Sequence, residues 1–162
     1  MRVVTWNINS VRLRINSVKK VVKKLNPDIL CLQETKCLKE DFPFEDFEKM
    51  GFVDTEAIGI KGYNGVCIAS RHPISSNDKH IFFNKDDARH MNIEFLYKNR
   101  KIIIHNFYVP AGGDEPDPKI NAKFKHKLKF LEEATKLFSN KKSAKNDLLV
   151  LVGDLNIAPH EM

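Results

Sequence analysis

The first 33 residues constrain the fold more than any other stretch of the chain. Residues 3–8 form a short apolar run with a β-branched bias, which predicts a buried strand. Ile15, Val18, Val21, Val22 and Leu25 then recur at helical spacing, with Lys19, Lys20, Lys23 and Lys24 on the opposite face, and Asn26-Pro27 stops the helix. Residues 28–33 read as a second strand. A strand, a crossover helix and a second strand make a βαβ-like opening, which predicts an α/β fold with a sheet covered by helices.

The rest of the chain continues this plan. Residues 43–50 predict a short helix ending at Gly51, and 52–58 and 65–70 predict strands around the turn-rich 59–64. Residues 92–97 and 101–108 predict a hairpin with Lys98-Asn99-Arg100 as its turn, and 110–118 a loop. The strongest predicted helix spans 119–138, with Ile120, Phe124, Leu128, Leu131, Ala134 and Phe138 as its apolar stripe. Its lysines Lys119, Lys123, Lys125, Lys127 and Lys129 read as a solvated outer face, remote from any cleft at the strand ends. A polar loop at 140–146 leads to a last strand at 148–152, which runs straight into Gly153-Asp154-Leu155-Asn156.

With 162 residues and no linker or repeat, the chain is expected to form a single domain over 1–162. Its apolar runs are strand-sized, against the ~20 residues that a bilayer span needs, so no membrane role is expected. The N-terminus lacks the apolar core of a signal peptide. Cys31, Cys37 and Cys67 are odd in number and lack metal-ligand spacing, which argues against a disulfide framework and a zinc site. The expected location is the cytoplasm of a bacterium. A net charge of +6 fits a polyanionic partner only weakly.

Four predicted strands end in the polar side chains that phosphate-ester hydrolysis uses: Asn7 and Asn9; Gln33-Glu34-Thr35-Lys36; Asn106, Tyr108 and Pro110; and Asp154 and Asn156. Open α/β sheets place ligands at strand C-termini. Such hydrolysis needs a hard cation, a base for water, and donors for the developing charge. Carboxylate and amide oxygens suit Mg²⁺. Each piece alone also reads as an ordinary turn, a solvated ion pair or a core ring with a wet hydroxyl. Their joint occurrence in this order favours the catalytic reading.

On these residues the chain resembles an AP endonuclease of the exonuclease III type, within the endonuclease/exonuclease/phosphatase superfamily. The resemblance rests on Thr5-Trp6-Asn7-Ile8-Asn9-Ser10-Val11-Arg12, Asp28-Ile29-Leu30-Cys31-Leu32-Gln33-Glu34-Thr35-Lys36, Gly62-Tyr63-Asn64-Gly65-Val66, Asn106-Phe107-Tyr108-Val109-Pro110 and Gly153-Asp154-Leu155-Asn156. It implies a four-layer α/β sandwich of the DNase I-like type. The implied activity is incision of double-stranded DNA 5′ to abasic sites, with 3′-to-5′ exonuclease and 3′-phosphatase activity at 3′ ends. By position it implies Mg²⁺ (with Mn²⁺ as a substitute) held by Glu34 and Asn7, with Asp154 and Asn156 also in the metal set. Tyr108 would donate to the scissile phosphate or assist as phenolate, Asp154 would orient and deprotonate water, and Asn156 would position water and stabilise charge. Arg12, Lys36, Tyr63 and Asn64 match DNA-backbone positions. Ser10 stands where the family usually has glycine.

Family members continue beyond the position of Met162 with a second half that supplies the other sheet and a terminal Ser-Asp-His motif. The chain is therefore expected to correspond to the N-terminal portion, with the C-terminal half missing. His160, after Pro159, reads as an exposed residue rather than a replacement for the absent histidine. A bare sheet face is expected to make the chain self-associate, and only residual activity is expected of it. Two other readings stand beside the DNA-repair one: a superfamily phosphodiesterase acting on another phosphate ester, and an inactive half-domain that binds DNA or a partner chain.

Overall fold

Val3–Asn7 (β1) and Ile29–Gln33 (β2) run parallel, in register from Val3↔Ile29 to Asn7↔Gln33, and helix Ile15–Leu25 (α1) crosses between them. Asn26 ends that helix in the left-handed region, its N–H donating to Val22 O at 2.8 Å. The predicted βαβ opening is present. The computed structural model describes residues 1–139 and 146–157. Most of the loop read at 140–146, and His160, lie outside the described residues.

After helix Phe44–Lys49 (α2), Asp54–Ile60 (β3) and Tyr63–Ser70 (β4) complete a four-stranded sheet in the order β1-β2-β4-β3. Ser76–Asp78 (β5), His90–Tyr97 (β6), Arg100–Tyr108 (β7) and Leu148–Asp154 (β8) form a second sheet in the order β5-β6-β7-β8. The hairpin between β6 and β7 closes on two residues, Lys98 and Asn99, both at positive φ, rather than on the expected three. That is the type I′ turn whose twist suits adjacent strands. Helix Ala122–Ser139 (α3) crosses from β7 to β8, which pair in parallel from Ile102↔Leu148 to Tyr108↔Asp154. Each sheet therefore carries one βαβ unit.

Side chains that alternate along the strands fill three layers of core. Leu30, Leu32, Cys67 and Ala69 face Val18, Val22, Phe47 and Phe52 on the α1–α2 side. Ile29, Cys31, Val66 and Ile68 face Met91, Ile93, Phe95, Ile102 and Ile104 of the second sheet. Phe107, Phe130, Leu131, Ala134 and Phe138 pack between that sheet and α3. The order is helices, sheet, sheet, helix. This corrects the expectation that the other sheet would be missing and one sheet face bare: both sheets come from this chain, and their facing sides are buried against each other.

The helix expectation also shifts. Asn121 accepts from Lys123 N at 2.9 Å and Phe124 N at 3.2 Å, so it caps α3 and leaves Ile120 in the preceding turn, 74% exposed. Phe130, absent from the predicted stripe, is the fully buried anchor.

Candidate active site

The carboxyl ends of the two βαβ units meet. Asn7 closes β1, Glu34 follows β2, Tyr108 closes β7 and Asp154 closes β8. The two sheets stack so that these four residues become neighbours. Asn7 Nδ2 donates to Glu34 Oε1 at 2.8 Å and to Asp154 Oδ2 at 2.8 Å. Tyr108 Oη donates to Glu34 Oε1 at 2.9 Å. One amide thus bridges two acids from different sheets, and one phenol ties the second sheet to the first.

Several local features hold this arrangement. Gly153 sits at φ +139°, and a Cβ there would lie 2.0 Å from Phe107 O, so only glycine lets β8 approach β7 at this level. Asp154 is fixed by its own loop: its Oδ1 accepts from Asn156 N at 3.1 Å, while Asn156 Nδ2 donates to Val109 O at 2.8 Å. Beneath the site, buried Gln33 donates to Asn106 Oδ1 at 2.7 Å, and Asn106 Nδ2 donates to Leu32 O and Cys67 O. This polar bolt fastens the sheets directly under the acids. Asn9, Ser10, Glu34, Lys36, Asn64 and Asn156 all hold positive φ. Asparagine tolerates that region, but for Glu34, Lys36 and Ser10 it costs on the order of 1–3 kcal/mol, and such strain clusters at functional sites.

The electrostatics separate the two groups that share Oε1. Burial works against ionisation of Glu34, yet hydrogen bonds from Asn7, Lys36 and Tyr108 and the Lys36 charge outweigh it, so its carboxyl titrates below the usual glutamate value. Burial pushes the Tyr108 phenol up to about 12, helped by its bond to Glu34 and by the Glu34 and Asp154 charges, with Arg89 opposing. At neutral pH the pair is a carboxylate and a phenol with its proton.

The oxygen donors of Glu34, Asp154 and the neighbouring asparagines suit a hard cation that keeps most of its water. Soft ligands are elsewhere: all three cysteines are free and buried, and burial raises the Cys31 and Cys67 thiols. Among the described residues no group of three or more His, Cys, Asp or Glu is placed to hold a metal ion. Among those residues the centre offers two carboxylates, Glu34 and Asp154, a number compatible with Mg²⁺.

The rim residues divide. Arg12 is exposed and forms a 3.9 Å ion pair with Asp41, and Tyr63 is 58% exposed; Arg12 shares a hollow with Lys36, and Tyr63 shares one with Tyr108. Asn9, Ser10, Arg12, Lys36 and Lys61 line a hollow of about 740 Å³ on one side. Lys36 does not point away as a free cation: its Nζ lies 2.8 Å from Glu34 Oε2 and 2.6 Å from Asn9 Oδ1. Asn64 is not at the rim. It is buried, and its Nδ2 donates to Asp87 O at 2.8 Å, which removes it from direct reach of a ligand.

On the other side, Tyr63, Arg89, Tyr108, Gly112, Lys123 and His126 line a hollow of about 450 Å³. Lys127 Nζ also reaches Asn156 O. The α3 lysines read as remote from the cleft therefore lie partly beside it, because the helix begins immediately over the loop that follows Tyr108. Arg89 was not singled out from the sequence; it directly precedes β6, and the register His90↔Phe107 sets it opposite Tyr108.

The Haemophilus influenzae protein named exodeoxyribonuclease III is 26% identical over 164 residues, covering all of this chain and 60% of that protein. The solved structure of an AP endonuclease from Archaeoglobus fulgidus superposes with a TM-score of 0.84 at 32% identity, covering 99% of this chain and 59% of that one. A 3′ phosphatase from Neisseria bound to product DNA hairpin gives a TM-score of 0.72 at 28% identity, covering 99% and 60%. The chain spans about 60% of the length of these relatives. The pattern of the endonuclease/exonuclease/phosphatase family matches residues 4–162, a stretch containing every residue of the carboxylate cluster, and the chain belongs to that family.

Proposed function

We propose that this chain carries the catalytic carboxylate centre of a Mg²⁺-dependent DNA phosphodiesterase that incises duplexes 5′ to abasic sites, with 3′-to-5′ exonuclease and 3′-phosphatase activity. The observation that carries the reading is the shared grip of Asn7 and Tyr108 on Glu34, with Asp154 on the same amide. Glu34, Asn7 and Asp154 would hold the cation, with Asn156 beside them; when bound, it supplies a Lewis acid for a phosphate oxygen.

This chain's residues do the rest. Asp154 orients the attacking water and accepts its proton, its carboxylate held in line by the backbone N–H of Asn156. Asn156 positions that water and meets the developing charge. Tyr108 keeps its proton and offers it as a hydrogen bond where negative charge grows. Arg12, Lys36 and Tyr63 would flank the DNA backbone from the first hollow and the rim, where phosphate contacts set position rather than sequence. Asn64 would act from below by holding the Asp87 loop. The charged rim and the DNA-bound Neisseria relative favour DNA over a small phosphate ester.

The test is incision of an abasic duplex beside an inositol phosphate, for wild type and Asp154→Ala. The wild type should nick only the abasic DNA, lose the activity in EDTA, and exceed the variant by about 10²- to 10⁴-fold. Equal rates in the two proteins, or turnover of the inositol phosphate alone, would overturn the reading.

A further inference from the structure

Arg89 directly precedes β6, and the register His90↔Phe107 sets it across from Tyr108. The two backbones are joined there, Tyr108 N donating to Arg89 O at 2.7 Å. The side chain then folds over the phenol. Its guanidinium carbon lies 4.7 Å from the Tyr108 ring centroid, and Nη1 donates to Tyr108 O at 3.3 Å. Nε donates to Asp87 Oδ2 at 2.7 Å, and both side chains of this pair are less than one-tenth exposed.

Asp87 is itself held. Its carbonyl accepts from Asn64 Nδ2, Gly65 N donates to Ala88 O at 3.2 Å, and His126 of α3 lies 3.7 Å from its carboxylate. A buried ion pair contributes little net stability compared with apolar packing of similar volume, so this pair calls for another explanation. The Tyr108 hydroxyl is tethered by its bond to Glu34. A ring at a strand end can swing about its side-chain torsions, and a swing would carry the hydroxyl off that carboxylate. A planar guanidinium fixed through Nε and Nη1 limits this motion as a wall would; a lysine ammonium, a point charge on a flexible stem, cannot.

We propose that Arg89, anchored by Asp87, is a positioning residue that braces the Tyr108 ring so that its hydroxyl stays directed into the carboxylate centre. This rests on the phosphodiesterase reading for its effect on rate, but not for its effect on the ring. In the full chain, Arg89→Lys and Asp87→Asn should each lower kcat on abasic duplex by about 10- to 100-fold, the scale expected when a reacting group loses orientation. KM should stay near wild type, and the loss of kcat should persist at temperatures well below each variant's own thermal midpoint, which falls because one partner of a buried pair is removed. A loss confined to KM would make Arg89 a phosphate contact; a kcat restored well below the midpoint would make the pair structural; unchanged kcat would remove any role. Each result overturns the proposal.

A second readout needs no turnover. The chain has three tyrosines, so ring-¹³C spectra can be assigned with Tyr108→Phe. Arg89→Lys should move the Tyr108 ring signals and leave those of Tyr63 and Tyr97 in place. Unmoved Tyr108 signals overturn the brace. Should the wild type incise no abasic DNA while the ring signals still move, the phosphodiesterase reading fails and the brace stands.

Discussion

A carboxamide has two N–H bonds, and Asn7 directs one to each acid, while its Oδ1 accepts from Asn9 N at 3.1 Å. Replacing the amide by a third carboxylate changes donors into like charges. Asn7→Asp should lose about 1–3 kcal/mol of stability at neutral pH in EDTA. Added Mg²⁺ should raise its thermal midpoint further than that of wild type, because a cation answers the surplus charge. Equal Mg²⁺ responses in calorimetric scans would place the cation elsewhere. At this scale the sequence is legible where polar residues end apolar runs, as Asn7, Glu34, Tyr108 and Asp154 do. It misleads where burial decides. Asn64 reads as a rim residue in a Gly-rich turn, yet its strand carries it inward. Asp87 and Arg89 carry no sequence signal of burial, yet the register hides them against Tyr108.

Between elements, the decisive contact is β7 against β8, because it sets Tyr108 level with Asp154. Gly153→Ala places a methyl carbon 2.0 Å from Phe107 O, with no flexible side chain there to give way. The strands must part or slip. A destabilisation of about 1–3 kcal/mol, the usual scale for overpacking, should appear in urea denaturation. Incision should fall further than stability alone explains, because the two site residues lose their register. Wild-type stability in this variant would show that β7 and β8 have slack. The opening βαβ unit was readable from Val18, Val22 and Leu25 at helical spacing between apolar runs; the second, around α3, was not read as one. Strand β5 was not: Ser76, Asn77 and Asp78 are all exposed and carry no apolar alternation. The start of α3 was misplaced because Ile120 fits the helical period, while the Asn121 cap that sets the boundary carries only a local signal.

For the whole molecule, the open feature is a pair of edges rather than a bare face. Strands β1 and β8 each end their sheet, lie next to each other, and have no strand on their outer side among the described residues. Leu151 on β8 is 51% exposed, and beside it Phe130, Leu131, Ala134, Phe138 and Leu155 line an apolar groove of about 210 Å³. Unpaired strand edges with apolar side chains recruit other strands, and an edge lysine blocks this. The chain should therefore sediment as concentration-dependent oligomers, and Leu151→Lys should shift it towards monomer. A monomer at every concentration would refute the edge as an association site. The closeness of these edges carries a temporal corollary as well. The amide and the acid it grips on β8 are 147 residues apart in the chain. During synthesis the centre therefore stays open until β8 leaves the ribosome and locks beside Phe107; a polypeptide released before Gly153 would have its first acid in place and no second one beside it.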